Sequence, residues 1–96
     1  MNMAEEILEL TQNFTIINTL GLHARAAATF VKIANRFRSE ITVMKDETSV
    51  NGKSIMGVLM LAASKDTEII ITAKGSDAKE ALEALGKLIK DKFGEN

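Results

Sequence analysis

The chain contains no cysteine, proline, tryptophan or tyrosine, and only one histidine. Without cysteine there is neither a disulfide framework nor a thiolate zinc site. The lone histidine lacks the partners that a metal centre needs, so no metal and no cofactor is expected. No linker, internal repeat or low-complexity tract divides the chain. No apolar run approaches the roughly 20 residues of a membrane span, so no membrane insertion is expected. The opening Met1-Asn2-Met3-Ala4-Glu5-Glu6 is polar and acidic, unlike a secretory signal, and a cytoplasmic location is expected. A net charge of −1 gives no general attraction to nucleic acid or anionic lipid.

What remains is an ordinary globular composition, 46% hydrophobic and 26% charged, over 96 residues, enough for one domain spanning 1–96. The default oligomeric state is a monomer. The charge is unevenly spread. No acidic residue lies between Glu9 and Glu40, whereas Arg25, Lys32, Arg36 and Arg38 all do. The single histidine, His23, falls inside this +4 segment.

Leu10–Ile17, rich in threonine, phenylalanine and isoleucine, predicts a strand. A loop with Gly21 follows, and Ala27, Phe30, Val31, Ala34 and Phe37 then predict a helix from near His23 to near Phe37. Ile41, Val43 and Lys45 open a second strand, Asp46-Glu47 a hairpin turn, and Thr48–Asn51 its partner. Ser54 is placed to cap a short apolar helix over Ile55–Ala62. Glu68–Ala73 predicts a buried strand. Asp77, with Glu80 three residues on, predicts the cap of a last helix. Its apolar stripe is Ala78, Ala81, Leu82, Leu85, Leu88, Ile89 and Phe93, and Gly86 within it costs about 1 kcal/mol relative to alanine. The order β-α-β-β-α-β-α predicts an α+β domain, a mostly antiparallel sheet covered by helices on one face.

His23 sits where the loop meets the first helix. First-turn amides have no intrahelical partner, and the helix dipole adds about +0.5 charge there, so such an end binds anions. Ala24 and Arg25 are the candidates to hold a phosphoryl group, the arginine through its planar fork of donors. Imidazole is partly neutral near pH 7 and then nucleophilic. The plain alternative is a polar residue at a helix start with no further role. No serine or cysteine is placed as a triad partner, and no paired carboxylates suggest a hydrolase.

Gly21-Leu22-His23-Ala24-Arg25-Ala26-Ala27 closely resembles the active-site signature of the histidine-containing phosphocarrier (HPr) family of the bacterial phosphoenolpyruvate-dependent phosphotransferase system. Ser49-Val50-Asn51-Gly52-Lys53-Ser54-Ile55-Met56-Gly57 resembles that family's regulatory-serine region, in register with the first match. The resemblance covers about residues 8–92. It implies an open-faced β-sandwich, four antiparallel strands with three helices on one face. It also implies that His23 is phosphorylated on Nδ1 beside Arg25, with phosphorylated enzyme I as donor and an enzyme II A domain as acceptor. Such a relay turns over no small molecule by itself. Two positions depart from the pattern: Ala26, where many members have proline, and Leu20, where some have asparagine.

By the same resemblance Ser54 matches a serine phosphorylated by a dedicated kinase in many bacteria. In the short helix that follows, Ile55, Met56, Leu59 and Met60 share one face, and Val58, Leu61 and Ala62 the opposite one. Val58 and Leu61 are expected to face the core. Ile55, Met56, Leu59, Met60 and Lys32 are the candidate docking residues, methionine suiting a surface that meets several partners. The alternative function is a regulatory module of the same fold, controlled at Ser54, without phosphoryl traffic. The sequence leaves open whether the chain serves sugar uptake or a nitrogen-related branch.

Overall fold

The β-branched and aromatic runs become four strands: β1 (Leu8–Thr15), β2 (Glu40–Lys45), β3 (Thr48–Asn51) and β4 (Glu68–Gly75). Helices α1 (Ala24–Ala34), α2 (Ile55–Met60) and α3 (Ala78–Lys90) alternate with them. This computed structural model describes residues 7–95; the acidic opening Met1–Glu6 and Asn96 lie outside the described residues. The sheet order is β1-β4-β2-β3, with every pairing antiparallel. The architecture is the expected open sheet with three helices.

Alternation along the strands assigns the two faces. Ile69, Ile71 and Ala73 of the central β4 are buried beside Ile41 and Val43 of β2 and Phe14 of β1. Thr11, Thr72, Thr42 and Asn51 face one another in register across the sheet, forming a polar row. Helix α1 buries Ala26, Ala27, Phe30, Val31 and Ala34, and α3 buries Ala78, Ala81, Leu82, Leu85 and Ile89. Each large apolar side chain removed from water in this way contributes about 1.5–3 kcal/mol. Gly86 has a packing reason: a Cβ there would lie 2.8 Å from Cε1 of Phe14.

Several boundaries differ from the sequence expectation. The first strand starts two residues earlier, at Leu8, and ends at Thr15. Helix α1 stops at Ala34, because Arg36 and Phe37 donate to Ile33 and Ala34 in tighter three-residue turns of 3.0 and 3.2 Å. The short helix α2 ends at Met60. Beyond it Ala62 takes a left-handed φ of 51°, while Lys45 Nζ donates to the Leu61 carbonyl at 3.1 Å. Phe93 is not part of α3. It is buried from a separate turn, Lys92–Gly94, in which Lys92, Phe93 and Gly94 all have positive φ.

Asp77 does precede α3, but its carboxylate does not cap that helix. It accepts instead from the Arg38 and Ser39 amides at 2.8 and 2.9 Å and from the Ser39 hydroxyl at 2.5 Å. The start of α3 is thereby tied to the loop that leaves α1. These bonds, the Ser39 hydroxyl foremost, hold the Asp77 carboxyl below its ordinary value of 3.8 against an opposing effect of burial.

Candidate functional site

Three stretches remote in sequence meet at the start of α1. The first is the loop from Ile16 to Leu22. Gly21 has φ +66°, and a Cβ on it would lie 2.5 Å from the Ala63 carbonyl oxygen, so the position requires glycine. The second stretch, between α2 and β4, packs against that loop. Leu22 N–H donates to Ala63 O at 2.8 Å, and Asp66 N–H donates to Ile16 O at 2.6 Å. The third is the turn after α3.

His23 occupies the N-cap of α1 with extended backbone, φ −73° and ψ 179°. Its carbonyl accepts the first intrahelical bond, from Ala27 N–H at 2.8 Å. Its side chain makes no capping bond, so the first-turn amides of Ala24 and Arg25 remain upstream of that ladder with no imidazole across them. Ala26 is fully buried in a regular first turn. The imidazole is 29% exposed. Thr19, Leu20, His23, Ala24, Arg25 and Glu95 line one shallow depression.

The turn after α3 brings an acid to this basic segment. The left-handed backbone at Lys92 and Phe93 costs about 1–2 kcal/mol per residue. Burial of the Phe93 ring offsets much of this, by about 1.5–3 kcal/mol. The reversal brings Glu95 to His23, 72 residues away, where Nε2 of the imidazole bonds to Oε2 of the carboxylate. The other oxygen, Oε1, accepts from Nδ2 of the buried Asn18 at 3.0 Å, and Asn18 also donates to Gly21 O at 2.8 Å. The Asn18 bond is the chief reason the Glu95 carboxyl is lowered from its ordinary value of 4.5; the His23 bond and the charges of His23 and Arg25 act the same way, and burial opposes them. An ionised carboxylate only accepts, so His23 Nε2–H is the donor of the pair.

Asn18 and Glu95 are site residues that the sequence reading missed. The available signal was indirect: an acid-free segment of charge +4, and an apolar Phe93 just before Glu95.

The remaining candidates lie at α2, which packs against α1. Ser54 is its N-cap, and its Oγ accepts from Gly57 N–H at 3.1 Å. Ile55, Met56 and Met60 are 45%, 69% and 74% exposed, and Val58 and Leu61 are buried. Leu59 is half-buried against the core, so it presents less surface than its expected face implies, and Ala62 is exposed. Lys32 is exposed in the last turn of α1, and Leu20, 68% exposed, adds apolar surface beside His23. Among the described residues no group of three His, Cys, Asp or Glu side chains gathers as a metal site, and no helix is long and apolar enough to cross a membrane.

Residues 10–91 match the family model described as the PTS HPr component phosphorylation site. The chain is 52% identical over 86 residues to the phosphocarrier protein HPr of Neisseria meningitidis, covering 90% of this chain and 97% of that one. It is 51% identical over 82 residues to HPr of Pseudomonas aeruginosa, covering 84% and 91%. A crystal structure of HPr from Thermoanaerobacter tengcongensis superposes with a TM-score of 0.88 at 46% identity, covering 91% of this chain and 98% of that one. With a family match across most of its length and a shared open antiparallel sheet, this chain belongs to the histidine-containing phosphocarrier family of the bacterial phosphotransferase system.

Proposed function

We propose that the chain carries phosphoryl groups on His23, receiving them from phosphorylated enzyme I and passing them to an enzyme II A domain in the cytoplasm. The observation that carries this reading is the position of a partly exposed imidazole at an uncapped helix start, next to Arg25. Attack by an imidazole nitrogen on phosphorus leaves a dianionic group at the α1 N-terminus. The helix dipole and free amides there favour it by about 0.3–1 kcal/mol. Ala24 and Arg25 would hold the phosphoryl oxygens, Ala24 through its amide and Arg25 also through its guanidinium. The modest size of these terms suits a carrier, because the group must leave as readily as it arrives.

Ile55, Met56 and Met60 on α2 are the docking surface for both partners, together with the half-buried Leu59, Lys32 of α1 and the exposed Leu20 beside His23. Ser54 is the regulatory position. A phosphate there would add about −1.5 to −2 charge at the edge of the apolar surface while leaving the helix start satisfied. The choice between sugar uptake and a nitrogen-related role is set by which enzyme II A domain docks.

The test is incubation with phosphoenolpyruvate and a cognate enzyme I, followed by intact mass before and after acid treatment. One acid-labile phosphoryl group, absent in His23→Ala, is the expected result. A chain that stays unlabelled with a competent enzyme I would overturn the carrier reading and favour the regulatory module controlled at Ser54.

A further inference from the structure

We propose that Asn18 and Glu95 are positioning residues for His23, fixing the ring proton on Nε2 so that Nδ1 carries the reactive lone pair. This rests on the carrier reading for its consequence, but not for its geometry.

A neutral imidazole has one donor and one acceptor nitrogen, and the acceptor alone is nucleophilic. Glu95 accepts from Nε2, so the proton belongs there and Nδ1 is left bare. The orientation of Glu95 is in turn set by Asn18. Both hydrogens of the Asn18 amide point at oxygens that only accept, Gly21 O at 2.8 Å and Glu95 Oε1 at 3.0 Å, so a flipped amide would oppose oxygen to oxygen at both. Asn18 is fully buried, and its own Oδ1 has no partner among the described residues. An orphaned buried acceptor is unfavourable, so a residue chosen only for packing would not be an asparagine. Its two donors are what the position uses.

In the transfer, the Nδ1 lone pair forms the bond to phosphorus, and the donor departs with the electrons of the bond that breaks. The Nε2 proton stays on the ring, and the Glu95 carboxylate faces the positive charge the ring acquires. A carboxylate holds the histidine of a serine-protease triad in the same way.

The arrangement makes an unusual demand on one conservative variant. In Glu95→Gln the Asn18 donor would claim the glutamine oxygen and turn the glutamine NH2 toward His23. Nε2 would then have to accept, and the ring proton would move to Nδ1, masking the nucleophile. Glu95→Ala only frees the ring. The conservative variant should therefore be the slower of the two.

The experiment is 15N spectroscopy of the ring in the full chain, together with transfer rates from enzyme I, for the native protein, Glu95→Ala and Glu95→Gln. The expected spectra show Nε2–H in the native protein, a mixture in Glu95→Ala and Nδ1–H in Glu95→Gln. Transfer in Glu95→Gln should fall at least about tenfold and lie below that of Glu95→Ala. An Nε2–H tautomer retained in Glu95→Gln, or faster transfer in Glu95→Gln than in Glu95→Ala, would overturn the proposal. The ring spectra need no donor protein. Tautomers that shift as stated in a chain enzyme I cannot label would therefore support the positioning role while the carrier reading fell.

Discussion

Helices α1 and α2 begin in opposite ways. At α2 the Ser54 hydroxyl turns inward and accepts from the Gly57 amide, so one first-turn amide is satisfied by the helix's own N-cap. At α1 the N-cap side chain turns away from the helix and bonds to Glu95, leaving the first-turn amides without a side-chain partner. The first end is finished by local chemistry and contributes to stability. The second is held open by contacts from 72 residues away, and that openness is what an incoming anion needs. A helix start thus serves as structure or as a binding end according to where one side chain is sent.

The most severe way to break this comparison is His23→Ala. Phosphoryl acceptance should vanish, read by intact mass after reaction with enzyme I. Stability should change by less than about 1 kcal/mol, because the side chain caps nothing and its bond to Glu95 is partly solvated. A large drop in the denaturation midpoint would show that the imidazole is a structural part of the helix start after all.

Next in size is Ser54→Asp, which makes the closed end carry a charge. The fold should persist, since aspartate is itself a good N-cap. Transfer to His23 should slow by about tenfold, equivalent to ~1.4 kcal/mol of barrier, because the charge sits at the margin of the exposed Ile55, Met56 and Met60 surface. An unchanged rate would remove Ser54 and that surface from the transfer encounter. Ser54→Ala should do the reverse, lowering stability by about 1 kcal/mol through loss of the cap while leaving transfer nearly intact.

The third helix start, at Asp77, sharpens the contrast through pH. Its carboxyl is lowered in the folded chain, chiefly by the Ser39 hydroxyl. The folded state therefore binds this proton less readily than the unfolded one, whose carboxyl has a pKa of about 3.9. The stabilisation is fully present above that value and is lost as pH falls through the lower folded one. Urea midpoints followed from pH 6 downward should decline below about pH 4, and Asp77→Asn should flatten part of that decline. An identical slope in the variant would mean that other carboxyls, Glu95 among them, account for all of it.

These ends also show what a sequence discloses. The hairpin turn at Asp46-Glu47, the capping of α2 by Ser54 and the buried stripe of α3 follow from neighbours a few residues apart, and all three were legible. His23 at a helix start was legible for the same reason. Its partners were not. Glu95 reaches the site only because Lys92 and Phe93 reverse the chain through left-handed backbone, and no periodicity encodes that turn. Asp77 looked like an ordinary cap because the acceptor is visible in sequence, whereas its destination in the Arg38–Ser39 loop is a tertiary fact. The position of β4 between β1 and β2 is likewise set by packing.

The smallest effect is expected at the far end of α2. Ala62 stops that helix with φ 51°, a conformation that costs a residue with a Cβ about 1–2 kcal/mol and glycine very little. Ala62 is exposed, so its methyl contributes little burial. Against the relief of strain stands the greater freedom of glycine in the unfolded chain, about 0.4–1 kcal/mol. Ala62→Gly should therefore stabilise the domain by a few tenths of a kcal/mol to about 1, raising Tm by a few degrees. Transfer should be unchanged, because the Lys45 bond to the Leu61 carbonyl still holds the end of α2 in place. A lower Tm would mean that the stop depends on the Ala62 methyl rather than merely tolerating it. The short helix would then be held from its far end as remotely as α1 is held at its start.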